Sequence, residues 1–428
     1  MLETLLKILK ESDAAGWRVI QEKIQGWEYY FIRHQLDQNR AKEVEHVDVT
    51  VYCSIEVGKY LGMAAASVAP TATEQELRKT VSDLIFQASL VKNKPFELNE
   101  RKEAEPMEIR IPSLKEEAGK FIRTYRKVKE TETENINSYE IFTSLITRRL
   151  ITSTGIDVTE SYPSSMNEVV VNARREGHEI ELYRLYHSGT CDSDGLKKEI
   201  EDTLRYGKDR LTAVPTPDLG HTAVLFSTDA ALHIYRYFLS NLNAAFVCRG
   251  MSSFEIGKPV ADEIRGDCVT IKACRYLPNS NTNFAYDAEG APVMDCTLIE
   301  NSVPVRYWGN RMFSQYLNLQ DSFSVTNWTA EGGTRSEEDL RKEDYLEVVE
   351  FSDFQVDVMT GDIFGEIRLA YLHKDGKTIP VTGGSVSGDV KECLKDMYMS
   401  GETKQYNNAV IPAVTLLHNV TVTGTDAE

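Results

Sequence analysis

Alternation of apolar and polar positions dominates the first half of the chain. The start, Met1-Leu2-Glu3-Thr4-Leu5-Leu6-Lys7, is amphipathic and predicts a helix. Residues 27–33, 46–52 and 59–68 then bring β-branched and aromatic side chains at a period of two, which predicts a strand meander. Thr73-Glu74-Gln75-Glu76 fits a capping box, and Leu77, Val81, Leu84 and Ile85 continue at helical spacing. From Ser138 the same order returns. A run over 139–152, a turn at Ser153-Thr154-Gly155, strands at 168–174 and 178–186, and a helix from about Ser193 carry it, with Leu196, Ile200, Leu204 and Leu211 on the buried side. Element order repeats although residues do not, so a structural duplication is expected. Between the repeats, residues 94–137 are rich in Glu and Lys, with Pro106 and Pro112 and a helix over 113–129 whose apolar stripe is thin. This predicts a surface excursion. Two prolines in Val214-Pro215-Thr216-Pro217 mark a linker.

The second half is organised around residues 221–250. Ala223-Val224-Leu225-Phe226 reads as a strand, Ser227 or Thr228 as an N-cap, and Asp229 suits the positive end of the helix that follows. Leu232, Tyr235, Leu239 and Leu242 share a face of that helix, and Cys248-Arg249-Gly250 turns the chain. Beyond it the pattern is mostly β: residues 268–274, 347–350 and 354–358 alternate, and Lys374-Asp375-Gly376-Lys377 is a hairpin turn. A short helix over 390–399 precedes a closing strand at 413–422. The expected fold is α+β in two domains. Residues 1–212 form strand-meander-plus-helix units with the suspected duplication, and 213–428 form a β-rich, barrel- or sandwich-like domain around one helix.

Charge narrows the function. The formal net charge of the 428 residues is -18, a field that repels phosphate backbones and argues against direct nucleic-acid binding. The pairs Arg148-Arg149 and Arg174-Arg175 are read as solvated strand ends. No apolar run approaches the roughly 20 residues of a membrane span and no secretion signal is read, so a cytoplasmic protein is expected. Seven cysteines without a C-x-x-C make neither a disulfide framework nor a zinc ribbon. Cys268 and Cys274 are expected as reduced, partly buried thiols in strand sequence.

Candidate chemistry then fails test by test. His178-Glu179 opens like a metalloprotease helix, yet Leu182 stands where the second His would fall and the segment alternates as a strand. His233 lacks a following carboxylate and reads as a satisfied, partly buried imidazole. Gly384-Ser385-Val386-Ser387-Gly388 imitates a nucleophile elbow but centres on Val386, so a Gly-rich hairpin loop is expected. Asp287 and Glu289 in Asp287-Ala288-Glu289-Gly290-Ala291-Pro292 could pair as carboxylates, but a turn with Asp as local acceptor fits as well. Asp262-Glu263 is exposed charge.

One family resemblance runs through the second half. Arg249-Gly250-Met251-Ser252-Ser253-Phe254 with Gly257, Tyr286 to Pro292, Leu298-Ile299-Glu300-Asn301, Thr360-Gly361-Asp362-Ile363-Phe364, Asp375-Gly376-Lys377 with Pro380-Val381, and Pro412-Ala413-Val414 leading to Val422-Thr423-Gly424 occur in one order. In these the chain resembles the TldD/PmbA family, described both as modulators of DNA gyrase and as parts of a peptide-processing metalloprotease. The TldD kind holds zinc on a helix through His-Glu and a second His after three more residues. Counting back from Arg249-Gly250 places Tyr235, Arg236 and Ser240 at those positions, and residues 400–409 offer no Cys or His. The resemblance therefore implies the PmbA kind, also called TldE: no catalytic residue and no cofactor in this chain, with zinc in a TldD-type partner. The expected partners are that subunit, or a second copy of this chain, and a peptide substrate added as a strand to a sheet edge. Arg249, Gly250, Asp287, Glu289 and Gly290 are the candidate peptide-binding or structural residues. Two other readings stand beside this one, a regulatory binding protein of the gyrase-modulator type and a self-sufficient hydrolase.

Overall fold

The computed structural model describes residues 1–425, so the last three residues of the expected second domain lie outside the described residues. The amphipathic start is α1 (Leu2–Glu11), followed by β1 (Gly16–Ile32), β2 (Gln35–Ile55), β3 (Tyr60–Val68) and α2 (Glu74–Ser89). The capping box of α2 forms: the Glu76 amide donates to Thr73 Oγ1 at 3.3 Å, and the Thr73 amide donates to the Glu76 carboxylate at 2.8 Å. After residues 91–113, which run without helix or strand, the order recurs as α3 (Leu114–Tyr125), β4 (Glu134–Thr152), β5 (Asp157–Arg175), β6 (His178–Ser188) and α4 (Ser193–Arg210).

All six strands join one antiparallel sheet in the order β3-β2-β1-β4-β5-β6. The two meanders meet at β1 and β4, so the expected duplication exists as topology. Strand alternation buries one face under helices. Leu5, Leu9, Leu77 and Leu84 pack on Val19, Val47 and Val49, while Phe121, Tyr125, Ile200 and Leu204 pack on Ile141, Val169 and Val171. Helix α3 is thus no mere surface excursion. Its thin stripe is made of large rings, and Tyr125 stacks on Tyr139 at 4.1 Å while Tyr139 stacks on Phe31 at 4.5 Å.

The remaining elements are β7 (Val214–Pro215), β8 (Gly220–Phe226), α5 (Ala231–Asn241), α6 (Ala244–Cys248), β9 (Ile271–Cys274), β10 (Cys296–Glu300) and β11 (Val303–Pro304). Then come α7 (Arg311–Tyr316), β12 (Asn327–Ala330), α8 (Glu337–Leu340), β13 (Tyr345–Val356), β14 (Asp362–Lys374), β15 (Lys377–Thr382) and β16 (Ser385–Asp389). The chain finishes with α9 (Val390–Cys393), β17 (Met397–Met399), β18 (Thr403–Tyr406), β19 (Ala409–Pro412) and β20 (Thr415–Thr423). Pairings β13-β8-β20-β16-β14 return to β13, which closes a five-strand barrel. A second sheet runs β11-β10-β9-β12-β19-β18. One core joins α5 to the barrel through Val224, Val348, Ile363, Val386 and Val420, and to the second sheet through Ile271, Leu298, Trp328 and Ile411.

Several local expectations are corrected. Val214-Pro215 is not a free linker: β7 pairs in parallel with β15, and Thr216 is fully buried. Neither Ser227 nor Thr228 caps α5. Its N-cap is Ala230, with no side-chain bond, because Ser227 Oγ instead donates to Glu347 Oε1 at 2.6 Å. The helix also breaks at Asn243, whose side chain accepts from the Ala245 amide and starts α6. Of the Gly384 to Gly388 run, only Gly384 lies in a connection; Ser385 to Gly388 belong to barrel strand β16 with Val386 buried, rather than to a hairpin loop. Cys268 is exposed and precedes β9. Arg148 is 7% exposed, far from a solvated strand end. The Asp375-Gly376 turn forms as expected, with φ of 52° and 71° between β14 and β15.

Candidate functional site

The three helix positions singled out by the resemblance do not converge. Tyr235 points into the core, where its hydroxyl shares a 2.7 Å hydrogen bond with Thr415 Oγ1 of β20. Arg236, one residue and about 100° further round the helix, is exposed, and Ser240 is half-buried. A phenol engaged elsewhere, a guanidinium and a hydroxyl are not a zinc donor set. Among the described residues no group of three or more His, Cys, Asp or Glu is placed to hold a metal ion. His233 is half-buried and turns edge-on to the Phe354 ring at 5.7 Å. Burial, aided by Arg236, lowers its pKa.

Gly250 ends α6 with φ of +69°, the left-handed residue that closes helices, and the Met251 amide donates back to the Phe246 carbonyl at 2.9 Å. Arg249 is exposed and lays its guanidinium over the Phe313 ring at 5.0 Å. The Asp287 turn is what the residues predict. Its Oδ1 accepts from the Glu289 and Ala291 amides and its Oδ2 from the Ser324 amide, each at 2.9 Å. Burial raises this carboxyl's pKa, but its oxygens are already engaged, so it serves as a turn acceptor rather than a base. Glu289, also raised by burial, accepts from the Arg311 amide at 2.6 Å and stands 3.4 Å from Arg18. Gly290, at φ of +81°, sits against the first sheet, where a Cβ would come within 2.6 Å of Ile156.

The fold brings these motifs together through groups that no motif marks. Helix α7 carries Arg311, which meets Glu289, and Phe313, which meets Arg249. Arg148 of β4 donates to Glu160 at 2.9 Å and to the Tyr286 carbonyl, and lies 4.5 Å over the Phe284 ring. Glu160 in turn accepts from the Ala285 amide at 2.6 Å. The turn at 286–292 is therefore a clasp between the first sheet and the rest of the chain. A cavity of about 20 Å³, room for about one water, lies beside it among Trp17, Arg18, Tyr52, Phe96, Glu289 and Arg311. Among the described residues of this clasp no nucleophile is paired with a base.

Residues 219–424 match the family model of the PmbA/TldA metallopeptidase C-terminal domain. With the motif order this match decides the assignment. Residues 219–424 form a C-terminal domain of the TldD/PmbA family. Among its TldD/PmbA relatives, the metalloprotease TldD homologues of two Buchnera aphidicola strains are 27% and 28% identical over 38% and 37% of this chain. The matched part spans 36% of the length of each of those relatives. TldE from Thermococcus kodakarensis shares the fold over 98% of this chain and 100% of its own, with a TM-score of 0.78 and 15% identity. A candidate modulator of DNA gyrase from Bacteroides thetaiotaomicron does so over 99% and 98%, with a TM-score of 0.79 and 13% identity. The fold shared with these structures thus extends over both halves of the chain. Among the described residues no helix is long and apolar enough to cross a membrane.

Proposed function

We propose that this chain is the non-metal, TldE-like subunit of a TldD/TldE-type metallopeptidase complex that acts in proteolysis and peptide maturation. The observation that carries this is the occupancy of α5: Tyr235 tied to Thr415, Arg236 in solvent and Ser240 leave no donor set where the TldD kind is expected to hold zinc. A guanidinium at the position of the catalytic carboxylate also opposes a metal-bound nucleophile, which needs a base beside it. In this reading the first domain is residues 1–212 and the second 213–428, the compartment is the cytoplasm, and the partner is a TldD-type subunit that brings the zinc. The chain supplies interface and peptide-binding surface, with Arg249, Gly250 and the Asp287 to Gly290 turn holding that surface in shape.

The test is metal content and peptidase activity of the purified chain, alone and mixed with a TldD-type partner. Cleavage that appears only in the mixture and is removed by chelator supports the subunit reading. Stoichiometric zinc bound to this chain alone, or chelator-resistant cleavage by it, overturns that reading. The second reading, a regulator of the gyrase-modulator type, draws on the description of the Bacteroides protein. It predicts co-purification with gyrase in the absence of any peptidase partner. The charge of -18 directs that contact to protein rather than DNA.

A further inference from the structure

The segment 91–113, which forms no helix or strand, crosses from the first sheet onto the second half and is held there largely by its main chain. The Gln315 side-chain amide pairs with both main-chain groups of one residue: its oxygen accepts from the Glu97 amide at 3.0 Å and its nitrogen donates to the Glu97 carbonyl at 2.7 Å. Arg311 Nε adds a bond to the same carbonyl at 3.0 Å. Tyr316 donates to the Lys94 carbonyl, the Ala104 amide donates to the Tyr286 hydroxyl at 3.0 Å, and Arg275 donates to the Pro106 carbonyl at 3.0 Å. The one deeply buried side chain of the segment is Phe96, 9% exposed, edge-on to Tyr52 at 6.1 Å and to Tyr316 at 6.5 Å. Its ion pairs, Lys102 with Asp321 and Arg275 with Glu105, lie at the surface, where such pairs contribute little.

We propose that Arg275, Tyr286, Arg311, Gln315 and Tyr316 form a site for an extended peptide with an aromatic anchor, and that residues 94–106 occupy it in cis. Side chains that bond to carbonyls and amides read an extended backbone whatever its side chains, and a single ring slot sets the register. One buried ring and exposed ion pairs give the segment a low cost of local opening compared with the sheet beneath it. The site deepens the subunit reading, on which the choice of peptide as ligand rests: a peptide enters by displacing the strap.

The probe is a fluorescent peptide copying residues 92–106, titrated into the full chain without any partner. Phe96→Ala removes the cis anchor and leaves the groove, so this variant is expected to bind the probe about tenfold more tightly than the unaltered chain or better. Adding Gln315→Ala is expected to cancel the gain. Equal binding by the unaltered chain and the Phe96→Ala variant, or a gain that survives Gln315→Ala, overturns the proposal. Should the variant fail to fold, hydrogen exchange on the unaltered chain decides. The Glu97 and Ala104 amides are expected to exchange many times faster than those of Val49 and Val169 in the first sheet, and exchange as slow as theirs overturns the strap. Failure to pair with a TldD-type subunit sinks the subunit reading while leaving probe binding to be measured, so the two failures are distinguishable.

Discussion

Gly250 and Gly290 are alike in backbone and unlike in surroundings. Both hold positive φ, +69° and +81°, but a Cβ on Gly250 meets nothing within 4 Å, whereas one on Gly290 meets Ile156 at 2.6 Å. Gly250→Ala should cost about 1 kcal/mol for the left-handed backbone alone. Gly290→Ala should cost roughly 2–4 kcal/mol, because overpacking of the clasp adds to the same strain. Melting curves of the two variants check the difference, and equal shifts would refute the clasp. Glu347 offers a pH test. Burial pushes its carboxyl up, but His373, Arg341 and Ser227 together hold it down, from 4.5 to about 2. Arg341 donates twice, at 2.8 and 2.9 Å, while His373 Nε2 at 3.5 Å is too far for a full hydrogen bond, so Arg341 is the main partner. A folded pKa below the unfolded one means stability that is present above 4.5 and lost as pH falls toward 2. The stability gap between the unaltered chain and Glu347→Gln should be on the order of 3 kcal/mol near neutral pH and close through that window. A gap that stays constant with pH would show that the carboxylate charge is not involved.

At the scale of elements, local signals and their limits are both visible. The α2 capping box and the Asp375-Gly376 turn formed where the residues predict, because each is decided within a few positions. Ser227 does not cap α5 because it has a remote competitor, Glu347 of β13, 120 residues away. The break between α5 and α6 had a signal in Asn243, a strong capping residue, overridden by the continuous apolar pattern on either side. Asn243→Ala should therefore destabilise the protein by about 1 kcal/mol, read as a lower denaturation midpoint at unchanged slope. No change would mean that the bridge to Trp308 alone sets the break. The thin stripe of α3 understates its packing, since Phe121 and Tyr125 bury more surface than their number implies.

For the whole molecule, Arg148 is the test of how the two halves are joined. Removing its guanidinium by Arg148→Met leaves Glu160 half of a buried pair and the Tyr286 carbonyl without its donor, which should cost roughly 3–5 kcal/mol. Denaturant unfolding should then show the halves separating at different midpoints. A single, unshifted transition would place the joint elsewhere. Read alone, the chain determined its period-two strands, its amphipathic helices, the repeat of element order and the lack of metal donors at 235, 236 and 240, for these are properties of neighbouring residues. Closure of the barrel, the partnering of Arg148 with Tyr286 and the docking of the 94–106 strap were decided only by tertiary structure. The β8 pairings that close the barrel and these two contacts join segments more than a hundred residues apart, where no spacing along the chain reports which surfaces meet and only mutual burial and the matching of polar groups selects the pairing.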